Sequence, residues 1–147
     1  MRESMDPLPV TVSEHLDARE AGCFNFVHDA IAEMTRRGMS EGLSAEELMG
    51  CSAICARYEG RLVGVLLFGD TERKAKAGLW VWFGFVDWKC RQQGVYRRLW
   101  AALVEIAKRD GRLLISGATH VDNSEMQLCA ESLGRRKAAV LYEYDVE

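Results

Sequence analysis

The sequence has no long hydrophobic run, almost no proline, no cysteine framework and no strong charge of one sign, and each absence removes a class of protein. Its longest apolar stretches, such as 62–68, are broken by glycine and fall far short of the ~20 residues a membrane-spanning helix needs, so no membrane partner is expected. The two prolines, Pro7 and Pro9, lie near acidic residues at the start of the chain. That stretch lacks the basic, apolar, small-residue order of a secretory signal, which makes a cytoplasmic location the expectation. Five cysteines (Cys23, Cys51, Cys55, Cys90, Cys129) are an odd count on separate segments and argue against disulfides. No second cysteine pair or His-x-x-x-His follows Cys51 and Cys55, so no metal site is expected and small buried hydrophobes is the better reading. A net charge of −3 with mixed signs disfavours nucleic acid as a partner.

What is present is the composition of a globular domain, 48% hydrophobic and 28% charged over 147 residues. A chain of this size buries about 68–70% of its unfolded surface. No repeat, biased segment or linker divides it, so a single domain over 1–147 is expected. Residues 8–12 read as extended, with Ser13 as a helix cap. Phe24, Val27, Ile31 and Met34 recur at helical intervals within a helix over 17–37 that Gly38 stops. Ser44 and Glu47 form a capping-box pair at the start of a helix over 45–49. Strands over 52–58 and 62–68 flank the turn Glu59-Gly60-Arg61. A charged loop over 69–77 leads to a strand over 78–87, completing an antiparallel meander. Val95, Leu99, Ala102, Leu103 and Ile106 make one stripe of a helix over 94–108. A strand over 112–118, a helix opening at Asp122-Asn123-Ser124-Glu125 and ending at Gly134, and a strand over 137–146 complete the chain. This order predicts an α/β (α+β) fold, a sheet with helices on its faces.

The chemistry concentrates at Arg91-Gln92-Gln93-Gly94-Val95-Tyr96, between a strand end and a strong helix. Glycine permits positive φ and close approach of a ligand to the backbone. The first amides of the helix lack internal partners and sit at the positive end of its dipole. Such a site suits a phosphate, with Lys89, Arg91, Arg97 and Arg98 around it. Taken alone, a capped helix with a solvated basic surface is the better account.

The pattern Val86-x-x-x-x-Arg91-x-x-Gly94-x-Tyr96 resembles the signature of the GNAT superfamily of N-acetyltransferases, a strand-end valine followed by Arg/Gln-x-x-Gly-x-Gly/Ala opening a helix. The spacing of Asn123 and Gly134 is similar to the family's helix after its fifth strand, and the element order matches from Leu8 onwards. The resemblance implies a mixed, mostly antiparallel twisted sheet with helices on both faces and splayed central strands. It also implies that acetyl-CoA is the co-substrate, with its pyrophosphate on the loop amides. The coenzyme-binding set is then Phe85, Val86, Arg91, Gln92, Gln93, Gly94, Val95, Tyr96, Arg97 and Asn123. Tyr96 departs from the family's small residue, and either narrows the cradle or packs on the coenzyme.

By the same resemblance, a main-chain N–H near Gly84 or Phe85 polarises the thioester carbonyl and an amine attacks directly. Trp80 and Trp82 stand where the family often has a base. Strict alternation puts Trp80, Trp82 and Gly84 on one face and Leu79, Val81, Phe83 and Phe85 on the other. The two tryptophans read either as an acceptor-lining wall or as part of a strand buried on both faces. Ala130 replaces the family's frequent acid tyrosine, which leaves His120 as a candidate base and Tyr142 (or Tyr144) as a candidate acid. Arg36, Arg37, Glu41, Glu46 and Glu47 read equally as solvated surface or specificity pocket. Homodimers are common in the family, though no residue here argues for one. The expected function is an N-acetyltransferase acting on a small-molecule or protein primary amine. The alternative is a non-catalytic acyl-CoA-binding or sensory domain.

Overall fold

The computed structural model describes residues 7–40 and 42–146, so the first six residues, Glu41 and Glu147 lie outside it. Five strands form one sheet in the order β1-β2-β3-β4-β5: Thr11–His15, Ser52–Tyr58, Arg61–Arg73, Lys76–Val86 and Leu114–Gly117. The first four pair antiparallel and β5 joins β4 in parallel, giving the mixed, mostly antiparallel sheet. Helix α3 (Val95–Arg109) covers one face through Val95, Leu99, Leu103 and Ile106, packed on Ile54, Leu66, Leu79 and Val81. Helices α1 (Phe24–Arg36) and α2 (Ala45–Leu48) cover the other through Val27, Ala30 and Leu48, packed on Ala53, Val65, Leu67 and Phe85. Helix α4 (Ser124–Ser132) lies beyond β5 with no fully buried residue.

Helix ends follow the local chemistry. At Gly38, Gly111 and Gly134, φ is positive (72°, 68° and 86°). At each, the residue after the glycine donates its N–H five residues back: Met39 to Met34, Arg112 to Ala107 and Arg135 to Ala130. This is the Schellman closure. Ser44 Oγ accepts from the Glu47 N–H at 3.1 Å, and Glu47 returns its carboxylate to the Ser44 hydroxyl at 3.0 Å.

Four expectations need correction. Ser13 is a strand residue, paired opposite Cys55, and α1 begins only at Phe24 because Gly22, at φ 69°, turns the chain after a 3-10 turn over Ala18–Glu20. The charged stretch 69–77 is mostly strand, since β3 and β4 continue to a two-residue turn at Lys74 and Ala75, both at positive φ. Strict alternation fails in β4: Leu67 opposes Phe83 and Phe68 opposes Val81, so Trp82 is an extra, bulged residue. The bulge shifts the strand's facing by one. Leu79 and Val81 therefore join the α3-side core, whereas Phe83 and Phe85 join the α1-side core. The fourth correction concerns 137–146, which form no strand.

The bulge has a second effect. β4 pairs with β5 only from Gly78 to Val81, against Leu114–Gly117. From Trp82 onwards β4 bends away, and backbone groups on that side lose their neighbour strand. The central strands are splayed.

Candidate active site

The glycine-containing loop before α3 is built at the far end of β4. Asp87 accepts the Lys89 N–H at 3.0 Å and opens a 3-10 turn over Trp88–Cys90. Gln92 and Gly94 then both take positive φ, 61° and 81°, and left-handed residues of this kind curl successive N–H groups towards a common point. Gly94 caps α3 with no side chain in the way. The bond from the Arg98 N–H to the Gly94 carbonyl (3.1 Å) is the first of the helix. The amides of Val95, Tyr96 and Arg97 precede it and have no carbonyl of their own helix to meet. Leu8 pins the loop from behind, donating its N–H to the Gln93 carbonyl at 2.9 Å.

In front of these amides runs a groove of about 540 Å3, between the open side of β4, the start of α3 and α4. Its size is that of a ligand pocket. Phe85, Val86, Arg91, Gln92, Gly94, Val95, Tyr96, Arg97 and Asn123 all line it. Gln93 does not: its side chain donates to the Lys89 carbonyl at 3.1 Å. Asn123 contributes as a cap, its Oδ1 accepting the Met126 N–H at 3.1 Å. Arg37, Met34, Glu125 and Cys129 also line the groove. Arg37 was read only as surface or specificity pocket, and Met34, Glu125 and Cys129 escaped the sequence reading of the site, because they lie on or at the end of helices whose approach to the loop is a tertiary matter.

Arg91 holds the groove together. Its guanidinium lies over the rings of Trp88 (4.3 Å) and Phe85 (4.9 Å), its Nε donates to the Val86 carbonyl at 2.9 Å, and its Nη1 is 3.5 Å from Glu125 of α4. It therefore ties the end of β4 to α4 across the splay. Arg37 lies over Trp88 at 5.2 Å and adds a second cation at the rim.

A smaller cavity of about 100 Å3 adjoins the groove, and Met34, Gly84, Tyr96, Asn123 and Met126 line both. Tyr96 stands at this junction. A methyl group on Gly84 would come within 2.9 Å of the Tyr96 ring, so the ring fills the space where β4 leaves β5. Burial pushes the Tyr96 phenol above its ordinary pKa, with Arg135 pulling weakly the other way, and the hydroxyl stays protonated near neutral pH. Arg135, placed by the closure of α4 and stacked on Trp100 at 4.6 Å, also lines the small cavity.

Trp82, 46% exposed, lines the small cavity, whereas Trp80 only meets it edge-on at 6.0 Å and is not part of the wall. His120 lines it too. Its Nδ1 accepts the Asp122 N–H at 3.0 Å, so the neutral ring carries its proton on Nε2 and its one free lone pair is engaged. Tyr142 is not brought to the site: it is 89% exposed and lines neither cavity. Among the described residues no cluster of His, Cys, Asp and Glu could hold a metal ion.

The model of the acetyltransferase (GNAT) family matches residues 18–134. No curated protein sequence matches the chain. Solved structures share the fold over nearly the whole chain. A ribosomal-protein-alanine N-acetyltransferase from Brucella melitensis biovar Abortus 2308 aligns with a TM-score of 0.68 at 20% identity, covering 94% of this chain and 98% of its own. The aminoglycoside N-acetyltransferase AAC(6')-Iy, solved in complex with CoA, aligns with a TM-score of 0.70 at 14% identity, covering 93% and 99%. An integron cassette protein from the mobile metagenome of V. cholerae aligns at 0.68 and 16% identity, covering 98% and 94%. The glycine-capped loop, the splayed strands and the family match agree: this chain belongs to the GNAT acetyltransferase family and is an acyltransferase.

Proposed function

We propose that the protein transfers the acetyl group of acetyl-CoA to a primary amine of a small molecule or protein by direct attack within a ternary complex. The observation that carries this reading is the junction of the two cavities at Gly84 and Tyr96. A pyrophosphate on the amides of 94–97 leaves the pantetheine arm along the unpaired side of β4, with the thioester at the junction and the amine in the small cavity. A β4 N–H at Gly84 or Phe85 polarises the thioester carbonyl. The amine adds to the carbonyl carbon, the C–S bond breaks, and coenzyme A leaves as thiolate. With the Nδ1 lone pair of His120 engaged, the ammonium proton passes to water rather than to that ring. The leaving sulfur takes a proton from Tyr96, whose hydroxyl is the only one among the described residues lining both cavities, and the phenolate is reprotonated by the second proton that the nitrogen gives up as the intermediate collapses to the amide.

Two structural neighbours are acetyltransferases named for quite different acceptors, ribosomal-protein alanine and aminoglycosides. Here the described lining of the small cavity carries Arg135 and His120 and no carboxylate. That supports an acceptor without several positive charges. Thiol release from acetyl-CoA, assayed with amino acids, peptide N-termini, polyamines and aminoglycosides, tests the reading. Turnover with an amino acid or peptide and none with polycations is expected. Tight CoA binding without turnover on any acceptor supports the non-catalytic alternative.

A further inference from the structure

The small cavity beside the Gly84–Tyr96 junction holds a single permanent charge. Arg135 is the sole arginine, lysine, aspartate or glutamate in its described lining. None of the ion pairs among the described residues includes it, and it is half-buried. A cation withdrawn from water without a counter-charge is costly. A cation also repels the ammonium that an amine acceptor brings. Both penalties are relieved when the acceptor itself carries the anion.

Three elements fix the guanidinium in place. The glycine closure of α4 sets the Arg135 backbone, whose N–H meets the Ala130 carbonyl at 3.1 Å. Trp100 of α3 takes one face of the guanidinium at 4.6 Å. Gly117, the last residue of β5, leaves the room: a methyl group there would stand 3.3 Å from Arg135 Nη2. Stacking occupies a face and leaves the in-plane N–H fork for a carboxylate. Burial raises the pKa of the Tyr96 phenol, and Arg135 opposes it through its charge and a side-chain hydrogen bond. The cation therefore stands beside the hydroxyl at the junction.

That position limits the acceptor. An amine that attacks at the junction while its anion rests on Arg135 must carry the two groups a few bonds apart, as an α-amino acid does. One cation balances one carboxylate, whereas a phosphate brings a charge of about −1.5 to −2. The cavity, about 100 Å3, is well below the roughly 300–1,000 Å3 of a drug-sized pocket. Ile31, Met34, Met39, Leu43, Trp82 and Met126 form its apolar side, and methionine adapts to aliphatic groups of differing shape. Resting on the reading of the chain as an amine acetyltransferase, we infer that the acceptor is a free α-amino acid with a small apolar side chain, and that Arg135 pairs with its carboxylate.

The test sets alanine, valine, leucine and methionine each against its own carboxamide, which keeps the amine and side chain and removes only the charge. Thiol release from acetyl-CoA by the full chain should favour the acid over the amide by roughly 10- to 100-fold in kcat/KM, the worth of a charged hydrogen bond. The difference should lie mainly in KM, because the pair forms in the ground state as well. Arg135→Gln should bring the acid-to-amide ratio close to one, with Arg135→Lys between the two; a merely structural role for Arg135 would lower both acceptors by the same factor and leave the ratio alone. Equal use of acid and amide by the unaltered chain overturns the inference, and needs no variant to fold. So does a ratio that survives in Arg135→Gln. Turnover of the amides alone would leave acetyl transfer standing and remove the amino acid. If nothing turns over, calorimetry on the CoA complex decides: binding of an acid over its amide keeps the Arg135 site while acetyl transfer fails, and no binding of any of the four acids overturns the site as well.

Discussion

Tyr96 occupies the position where family relatives carry a small residue, and Gly84 is what makes room for it. The closest built contact between them, 2.9 Å from a Gly84 methyl to the ring, means that no larger residue fits at 84 while the ring stays in place. The phenol is thus held at the junction of the two cavities, desolvated and protonated. If it protonates the leaving sulfur, Tyr96→Phe should lower kcat by about 10²-fold, the lower range for general acid catalysis, because packing is kept and only the proton is lost. KM for acetyl-CoA should stay within about twofold, since ground-state binding does not use that proton. Steady-state kinetics separate the two, and an unchanged kcat would remove Tyr96 from the chemistry.

At the scale of elements, the contrast is between α3 and α4. α3 buries Val95, Leu99, Leu103, Ile106 and Ala107, whereas α4 has no buried residue and depends on its ends. Asn123 caps one end and the Arg91–Glu125 pair (3.5 Å) holds the same turn against β4. Losing such a cap costs about 1 kcal/mol, and in a helix so lightly packed the cost falls on local opening rather than on global unfolding. Asn123→Ala should therefore speed amide exchange across Ser124–Ser132 by about fivefold, with the denaturation midpoint nearly unmoved. Equal loss in α3 and α4 would show that the two unfold together. The bulge at Trp82 is the other decisive element-level feature, since it both exchanges the faces of β4 and turns the strand away from β5.

For the whole molecule, the sheet is the shared wall of two cores, and the groove lies where that wall opens. A ligand that binds only the folded chain at a hundred times its Kd adds ~2.7 kcal/mol of stability. For a chain near 150 residues, where each kcal/mol moves the midpoint by ~2–4 °C, this is about 5–11 °C. A thermal-unfolding shift of that size with acetyl-CoA is expected, and it should be much smaller in Arg91→Ala, which cuts the tie between β4 and α4. A shift of the same size in the variant would place the coenzyme away from this groove.

The loop and helix from Arg91 to Arg109, the hairpin of β2 and β3 and the glycine-closed helix ends at Gly38 and Gly134 were all legible in the sequence, because each is set by residues within one turn or one strand of itself. A left-handed glycine, a cap and an apolar stripe need no distant partner to declare themselves. The Lys74-Ala75 turn was not legible, because neither residue favours positive φ and only the long pairing of β3 with β4 holds them there. Nor was the bulge at Trp82, which exists only relative to the facing strand and decides which aromatic side chains reach the site. The segment 137–146 shows the same division most plainly. Its alternation makes it a strand former by composition, but a strand is completed by an edge to pair with, and that is a property of the assembled sheet.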